Sequence, residues 1–182
     1  MQRVSVIGIS GSGKSTIARR LARLLDCPHY ELDAMYFLSG WEARDKGEFD
    51  AMVEKISAGE RWVIDGSYAD WTVEGLIWKR ADTVVWPRLS RAATMRQLLG
   101  RSLRRIVTRQ ELWNGNRETL RTLLDPKDSI ITDMWSRYRK YNRDFERHCR
   151  DPRFLGINFV VLRGRKEISR WLDKVAASAR AR

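Results

Sequence analysis

Short apolar, largely β-branched runs alternate along this chain with longer stretches whose apolar residues recur every three to four positions. The first run, Arg3 to Ile9, reads as a buried strand, and Lys14 to Leu25 follows with Ile17, Ala18, Leu21, Ala22 and Leu25 on one helical face. A second short strand is expected over Pro28 to Leu32, ending at Asp33, and a short helix over Phe49 to Ser57, with a loop around Leu38-Ser39-Gly40-Trp41 between them. Arg61 to Ile64 and Thr83 to Trp86 read as core strands, closed by Asp65-Gly66 and by Pro87. Leu89 to about Arg109 reads as a helix with Met95, Leu99, Leu103 and Ile106 on its apolar stripe and Arg101, Arg104 and Arg105 on the other side.

After a break at Asn114-Gly115-Asn116, a long helix is expected over Pro126 to Arg150, with Asp125 as N-cap, Pro126 at the first position and Asp128 in the first turn. Ile130, Met134, Tyr138, Tyr141, Phe145 and Cys149 form its packing stripe. Asn158 to Leu162 is a fifth strand and Lys166 to Ala179 a closing helix. Such alternation predicts an α/β fold class: a five-stranded parallel sheet flanked by helices, with ligands at the carboxyl ends of the strands. No internal repeat or linker divides the chain, so residues 1–182 are expected to form one domain, with an arginine-rich helical lid at about 96–125.

Composition narrows this picture. Hydrophobic residues make up 43% and charged residues 32%, and no apolar run approaches the roughly 20 residues that span a bilayer. The run Val4 to Ile9 is too short for a secretion signal, and the cytoplasm is the expected compartment. Cys27 and Cys149 stand alone and read as ordinary thiols, which disfavours a disulfide framework or structural zinc. His29 and His148 are also isolated and read as structural or surface residues outside any mechanism. The net charge of +12 is uneven: from Arg88 to Arg153 there are 17 Lys and Arg against 8 Asp and Glu. Of the basic residues in the whole chain, 27 of 35 are Arg, whose planar guanidinium suits bidentate recognition of phosphate.

One motif carries specific chemistry. Gly8-Ile9-Ser10-Gly11-Ser12-Gly13-Lys14-Ser15 matches G-x-x-x-x-G-K-[ST] in full and is followed by Thr16. Its glycines let the backbone curl so that successive N–H groups point at phosphate oxygens, and the loop feeds a helix N-terminus that favours anions. Gly8, Ser10, Gly11, Ser12, Gly13, Lys14, Ser15 and Thr16 are thus the candidate phosphate ligands. Lys14 reaches the β and γ phosphates, and the Ser15 hydroxyl ligates Mg²⁺. A nucleoside triphosphate, ATP, with Mg²⁺ is the implied ligand; the motif alone does not specify a reaction.

The layout of strands, phosphate loop and arginine-rich segment resembles the adenylate-kinase and shikimate-kinase group. Leu32-Asp33, Trp62-Val63-Ile64-Asp65-Gly66-Ser67-Tyr68 and Arg101 through Glu118 (RSLRRIVTRQELWNGNRE) resemble more closely the adenylate-kinase-related proteins often labelled DNA topology modulation proteins. The resemblance covers nearly the whole chain and implies a P-loop NTPase fold. It implies that Asp65 orients Mg²⁺ through its waters, and that Asp33 contacts an acceptor hydroxyl and could receive its proton. Asp65-Gly66 as a plain turn and Asp33 as a helix cap remain the alternatives. Arg101, Arg105 and Arg109, four residues apart, are the candidate lid arginines closing on polyphosphate, with Arg104 and Arg117 equally placed and Glu118 expected to pair with an arginine of the string. Arg163, in Arg163-Gly164-Arg165, occupies the loop that holds the base in adenylate-kinase-like proteins, with a plain strand-to-helix turn as the alternative.

The chain departs from adenylate kinases proper after Asp65-Gly66, where Ser67-Tyr68-Ala69-Asp70 offers neither the proline nor the arginine of their acceptor site. After Asp33 it provides Met35, Tyr36, Phe37 and Trp41, which either stack on a flat ligand or cover the core. Three readings follow. The first is a phosphotransferase acting on an unidentified small-molecule or nucleotide acceptor. The second is a nucleic-acid-associated ATPase or polynucleotide-end kinase, and the third a nucleotide-sensing regulator.

Overall fold

The computed structural model describes residues 1–67, 73–124 and 129–180. Five strands, β1 (Arg3–Val6), β2 (His29–Glu31), β3 (Trp62–Asp65), β4 (Thr83–Pro87) and β5 (Asn158–Leu162), form one parallel sheet in the order β2-β3-β1-β4-β5. The chain crosses from one side of β1 to the other after β3, which makes the carboxyl end of β1 the topological switch point where such sheets bind ligands.

Side-chain alternation divides the core into two layers. Val4, Val6, Val63 and Val85 pack beneath α1 (Lys14–Leu25) and, at the C-terminus, α7 (Arg165–Arg180), through Ile17, Ala18, Leu21, Leu172 and Val175. Trp62, Ile64, Val84 and Trp86 face the other way. They meet Leu32 of α2 (Leu32–Tyr36), Phe49 and Val53 of α3 (Lys46–Ser57), and Phe145 of α6 (Ile130–His148). A smaller cluster of Ile9, Leu98 and Met134 joins the loop after β1 to α4 (Arg91–Val107) and α6. Cys27 and Cys149 are free, and burial pushes both thiols up, Cys149 to about 11, so neither is a thiolate at neutral pH.

Several expected elements shift. β1 stops at Val6, and β2 is cut to three residues because Leu32 starts α2; Asp33 therefore lies in a helical turn rather than at a strand end. In α4 the buried positions are Thr94, Leu98 and Ser102, while Leu103, expected on the apolar stripe, is 49% exposed. The helix ends at Thr108, and Arg109 takes the left-handed conformation (φ 48°) of a Schellman close, with Gln110 N–H donating to the Arg105 carbonyl. A short α5 (Leu120–Leu124) follows. Ser129, not Asp125, caps α6, accepting from the Ile131 N–H at 3.2 Å; Asp125, Pro126 and Asp128 lie outside the described residues. Met134 and Phe145 of the expected stripe are buried, and Tyr138 and Tyr141 pack partly buried beside them. No helix among the described residues is long and apolar enough to cross a membrane.

Asp82, just before β4, ties two strand starts together: its carboxylate accepts from the N–H groups of Gln2 (2.7 Å) and Arg3 (2.9 Å) and from the Thr83 hydroxyl (2.7 Å). Burial pushes its pKa up, but these donors outweigh burial and hold it below the ordinary value. A depressed folded pKa stabilises above the unfolded value of about 4 and ceases to do so as pH falls through the lower folded one. Asp82→Ala is expected to cost about 1 kcal/mol at neutral pH, a modest figure because the group is partly solvated, and clearly less near pH 3, as read by urea unfolding at the two pH values.

Candidate nucleotide and phosphate-transfer site

The loop between β1 and α1 depends on backbone shapes that side chains would obstruct. Gly8, Gly11 and Gly13 have φ of 145°, 85° and 88°. A Cβ on Gly8 would lie 2.6 Å from Ser12 Oγ, and one on Gly11 would lie 2.7 Å from the Thr94 carbonyl oxygen and 2.9 Å from Leu98 Cβ. The loop is therefore pressed directly onto α4. On its other side Ser67 anchors it, accepting from the Gly8 N–H at 2.7 Å and donating to the Gly8 carbonyl at 3.0 Å.

Gly13 is the N-cap of α1, whose first turn carries no acidic residue to satisfy the positive end of its dipole. Ser12 is 2% exposed, and its hydroxyl has no partner among the described residues. A glycine-lined cradle, an orphaned hydroxyl and a free helix N-terminus fit a polyphosphate. Lys14 and Ser15 occupy the first turn of α1, partly buried, with Thr16 exposed beside them.

A carboxylate pair lies at the ends of the neighbouring strands. Asp65 is 3% exposed at the end of β3, and its Oδ1 is 2.7 Å from Nε2 of His29. Parallel pairing sets Glu31 opposite Asp65, and one donor atom each from His29, Glu31 and Asp65 lies within 4.8 Å of the others. Sequence reading set His29 aside as structural and passed over Glu31; alternation puts both on one face of β2, but only the β2–β3 register brings that face to Asp65. Glu31 also meets Arg19 of α1 at 4.0 Å. Together with the Ser15 hydroxyl, the carboxylates are hard oxygen donors of the kind that hold Mg²⁺.

The arginines expected to form a lid divide. Arg105 forms an ion pair with Glu118 at 2.5 Å, the side chains 16% and 12% exposed. Burial pushes the Arg101 guanidinium below its ordinary value, with Arg105 acting in the same direction and Glu118 and Asp33 opposing. Arg101 therefore lies within electrostatic reach of all three, and its Nε is buried without a partner among the described residues. Arg109, expected on the same face, is turned out of the helix by its left-handed backbone and is exposed. Arg104 is exposed, and Arg117 pairs with Glu111 at 3.4 Å on the surface. The Arg163 side chain is exposed, while its N–H donates to Glu167 at 2.7 Å, closing the turn into α7. The aromatic residues after Asp33 pack on one another and on the lid: Phe37 meets Trp41 at 5.4 Å between ring centroids and Trp113 at 6.4 Å.

No family profile matches the sequence, and no curated protein matches it. Solved structures match its shape. A gluconokinase from Sinorhizobium meliloti shares 16% identity with a TM-score of 0.54, covering 99% of this chain and 92% of that one. A shikimate kinase from Acinetobacter baumannii, in complex with shikimate, shares 12% with a TM-score of 0.55, covering 100% and 94%. A second, from Bacteroides thetaiotaomicron, shares 16% with a TM-score of 0.53, covering 98% of each. The fold they share with this chain is the five-stranded parallel α/β sheet of the P-loop NTPases. At these identities the likeness to P-loop kinases extends to architecture and not to the acceptor.

Gly11→Ala tests the contact between loop and lid helix. A left-handed alanine costs about 1 kcal/mol, and its Cβ must also displace backbone of α4, so a loss of about 2 kcal/mol or more is expected in thermal or urea unfolding. Binding of a fluorescent ATP analogue should weaken in the same variant.

Proposed function

We propose that this protein is a phosphotransferase that moves the γ-phosphate of ATP to a hydroxyl or phosphate oxygen of a small acceptor. The observation that carries the reading is the largely buried Arg105–Glu118 pair near Arg101, whose own guanidinium lies within electrostatic reach of Asp33, on a fold whose switch point holds a complete phosphate loop. A generic ATPase has no need of an acid on the acceptor side placed within reach of the lid arginines. The names of the structural neighbours, a gluconokinase and shikimate kinases, support a small-molecule acceptor.

The loop N–H groups and Lys14 hold the β and γ phosphates, with Ser15, Asp65 and Glu31 as the groups that would hold Mg²⁺. When bound there, Mg²⁺ would supply charge neutralisation on those phosphates. His29 fixes Asp65 through their hydrogen bond. Asp33 orients the acceptor hydroxyl as its oxygen bonds to the γ-phosphorus and the bond to the β–γ bridging oxygen breaks. The hydroxyl proton passes to Asp33 and ADP carries away the bond's electrons. Because the transition state is loose, Asp33 acts more through alignment than through basicity, and Arg101 and Arg105 stabilise charge on the transferring group.

The test is ADP release from Mg·ATP across paired nucleosides, nucleotides and sugars, with Lys14→Ala as blank. Stimulation by one acceptor class that vanishes in Lys14→Ala, at unchanged melting temperature, is the expected result; turnover indifferent to every acceptor would sink the reading. Arg101→Ala should lower kcat about a hundredfold and ATP affinity much less.

A second reading, a nucleic-acid-associated ATPase or polynucleotide-end kinase, draws on the exposed Arg139, Lys140, Arg143, Arg147 and Arg150 along the C-terminal half of α6 and just beyond it. The sequence likeness to DNA topology modulation proteins supports the same reading. It predicts binding to single- or double-stranded DNA whose affinity falls with log salt at a slope of about −3 to −4, reduced when those residues are neutralised. No binding at low salt would remove it.

A further inference from the structure

Two loops of the same backbone form pack directly against each other, one of them also touching Glu31 of β2. In one, between α2 and α3, the Leu38 N–H donates to the Glu42 carbonyl at 2.8 Å; in the other, between α4 and α5, the Leu112 N–H donates to the Asn116 carbonyl at 2.7 Å. Each is flanked by an isolated antiparallel bridge, Phe37 with Ala43 and Glu111 with Arg117. Each contains two successive left-handed residues, Gly40 and Trp41 (φ 75° and 63°), and Asn114 and Gly115 (φ 55° and 79°).

The loops interlock through side chains of the second. Asn116 is 4% exposed; its Oδ1 accepts from the Trp41 N–H at 2.9 Å, and its Nδ2 donates to the Leu38 carbonyl at 2.7 Å. Asn114 Nδ2 donates to the Phe37 carbonyl at 2.5 Å and to that of Ala34 at 3.4 Å. With the loop held from both asparagines, Trp113 stacks on Phe37 at an interplanar angle of 18°, and its indole N–H donates to Glu31 Oε2 at 3.0 Å. That bond reaches 82 residues back along the chain, to the carboxylate set opposite Asp65.

We infer that Trp113 is a positioning residue for the metal-side carboxylates: seating the lid tip on the loop after α2 delivers an N–H to Glu31 and holds it beside Asp65. The same segment carries the paired Arg105 and Glu118 on its two arms. Lid closure and assembly of the Mg²⁺ site are then one event, as outer-shell hydrogen bonds to metal ligands generally demand. The inference rests on the Mg·ATP reading above and names how its metal half is completed.

Trp113→Phe keeps an aromatic ring for the stack and removes the N–H donor with part of the indole surface. Mn²⁺ binding to the protein with ADP, followed by electron paramagnetic resonance, should weaken about tenfold in Trp113→Phe, while ADP binding in EDTA stays at the wild-type value. An unchanged Mn²⁺ affinity overturns the inference and leaves the nucleotide reading standing. Wild type that binds Mn·ADP no better than Lys14→Ala overturns both. Without nucleotide, Asn116→Ala should speed hydrogen exchange at the Trp41 amide; unchanged exchange means the loops are not interlocked in solution and also overturns the inference.

Discussion

The architecture at the carboxyl edge of the sheet depends on a backbone loop that has no room for side chains. Gly11 lies so close to α4 that a single added carbon would meet the Thr94 carbonyl, and Gly8 is clasped by both atoms of the Ser67 hydroxyl. These contacts fix the loop between the chain that leaves β3 and α4. They explain why α4 presents threonine, leucine and serine inward, a face small enough for backbone to approach backbone. From that helix hang Arg101 and Arg105, so the geometry of the arginines is set by the same close approach that shapes the anion cradle.

What was legible in the sequence follows the distance over which each feature is specified. The phosphate loop is eight consecutive residues and needs no partner to be recognised. The five strands are short apolar runs with turn residues at their ends, and each appears: β1 and β2 are trimmed where a loop or helix takes over, β3 is shifted by one residue, β4 gains Pro87, and β5 keeps its expected bounds. The pattern predicts α4 but not its phase: Met95, Leu99, Leu103 and Ile106 are the more apolar set, yet the loop requires Thr94, Leu98 and Ser102 on the inside. Arg109 was assigned to the helix because a four-residue spacing continues through it, and a left-handed closing residue breaks that spacing without a glycine to announce it.

The rest of the candidate site rests on long-range pairing. His29 and Glu31 gain significance only when β2 is set beside β3 in a particular register, and a three-residue strand carries little pattern from which to read it. The aromatic residues after Asp33 were open between ligand stacking and core cover; their partner Trp113 lies in a different segment, and the asparagines that seat it read locally as turn formers.

The placement of these parts in the sheet separates two kinds of freedom. The phosphate loop leaves β1, the middle strand, and is held by its neighbours β3 and β4 and by α4. Asp33, Glu31 and the aromatic loop belong to β2, an edge strand, and to the chain that follows it. Insertions or exchanges at that margin can remodel what stands opposite the loop without disturbing buried central strands. A chain built this way can be altered at its margin while its middle keeps its packing, and the architecture is shared over nearly the full length of solved structures at 12 to 16% identity.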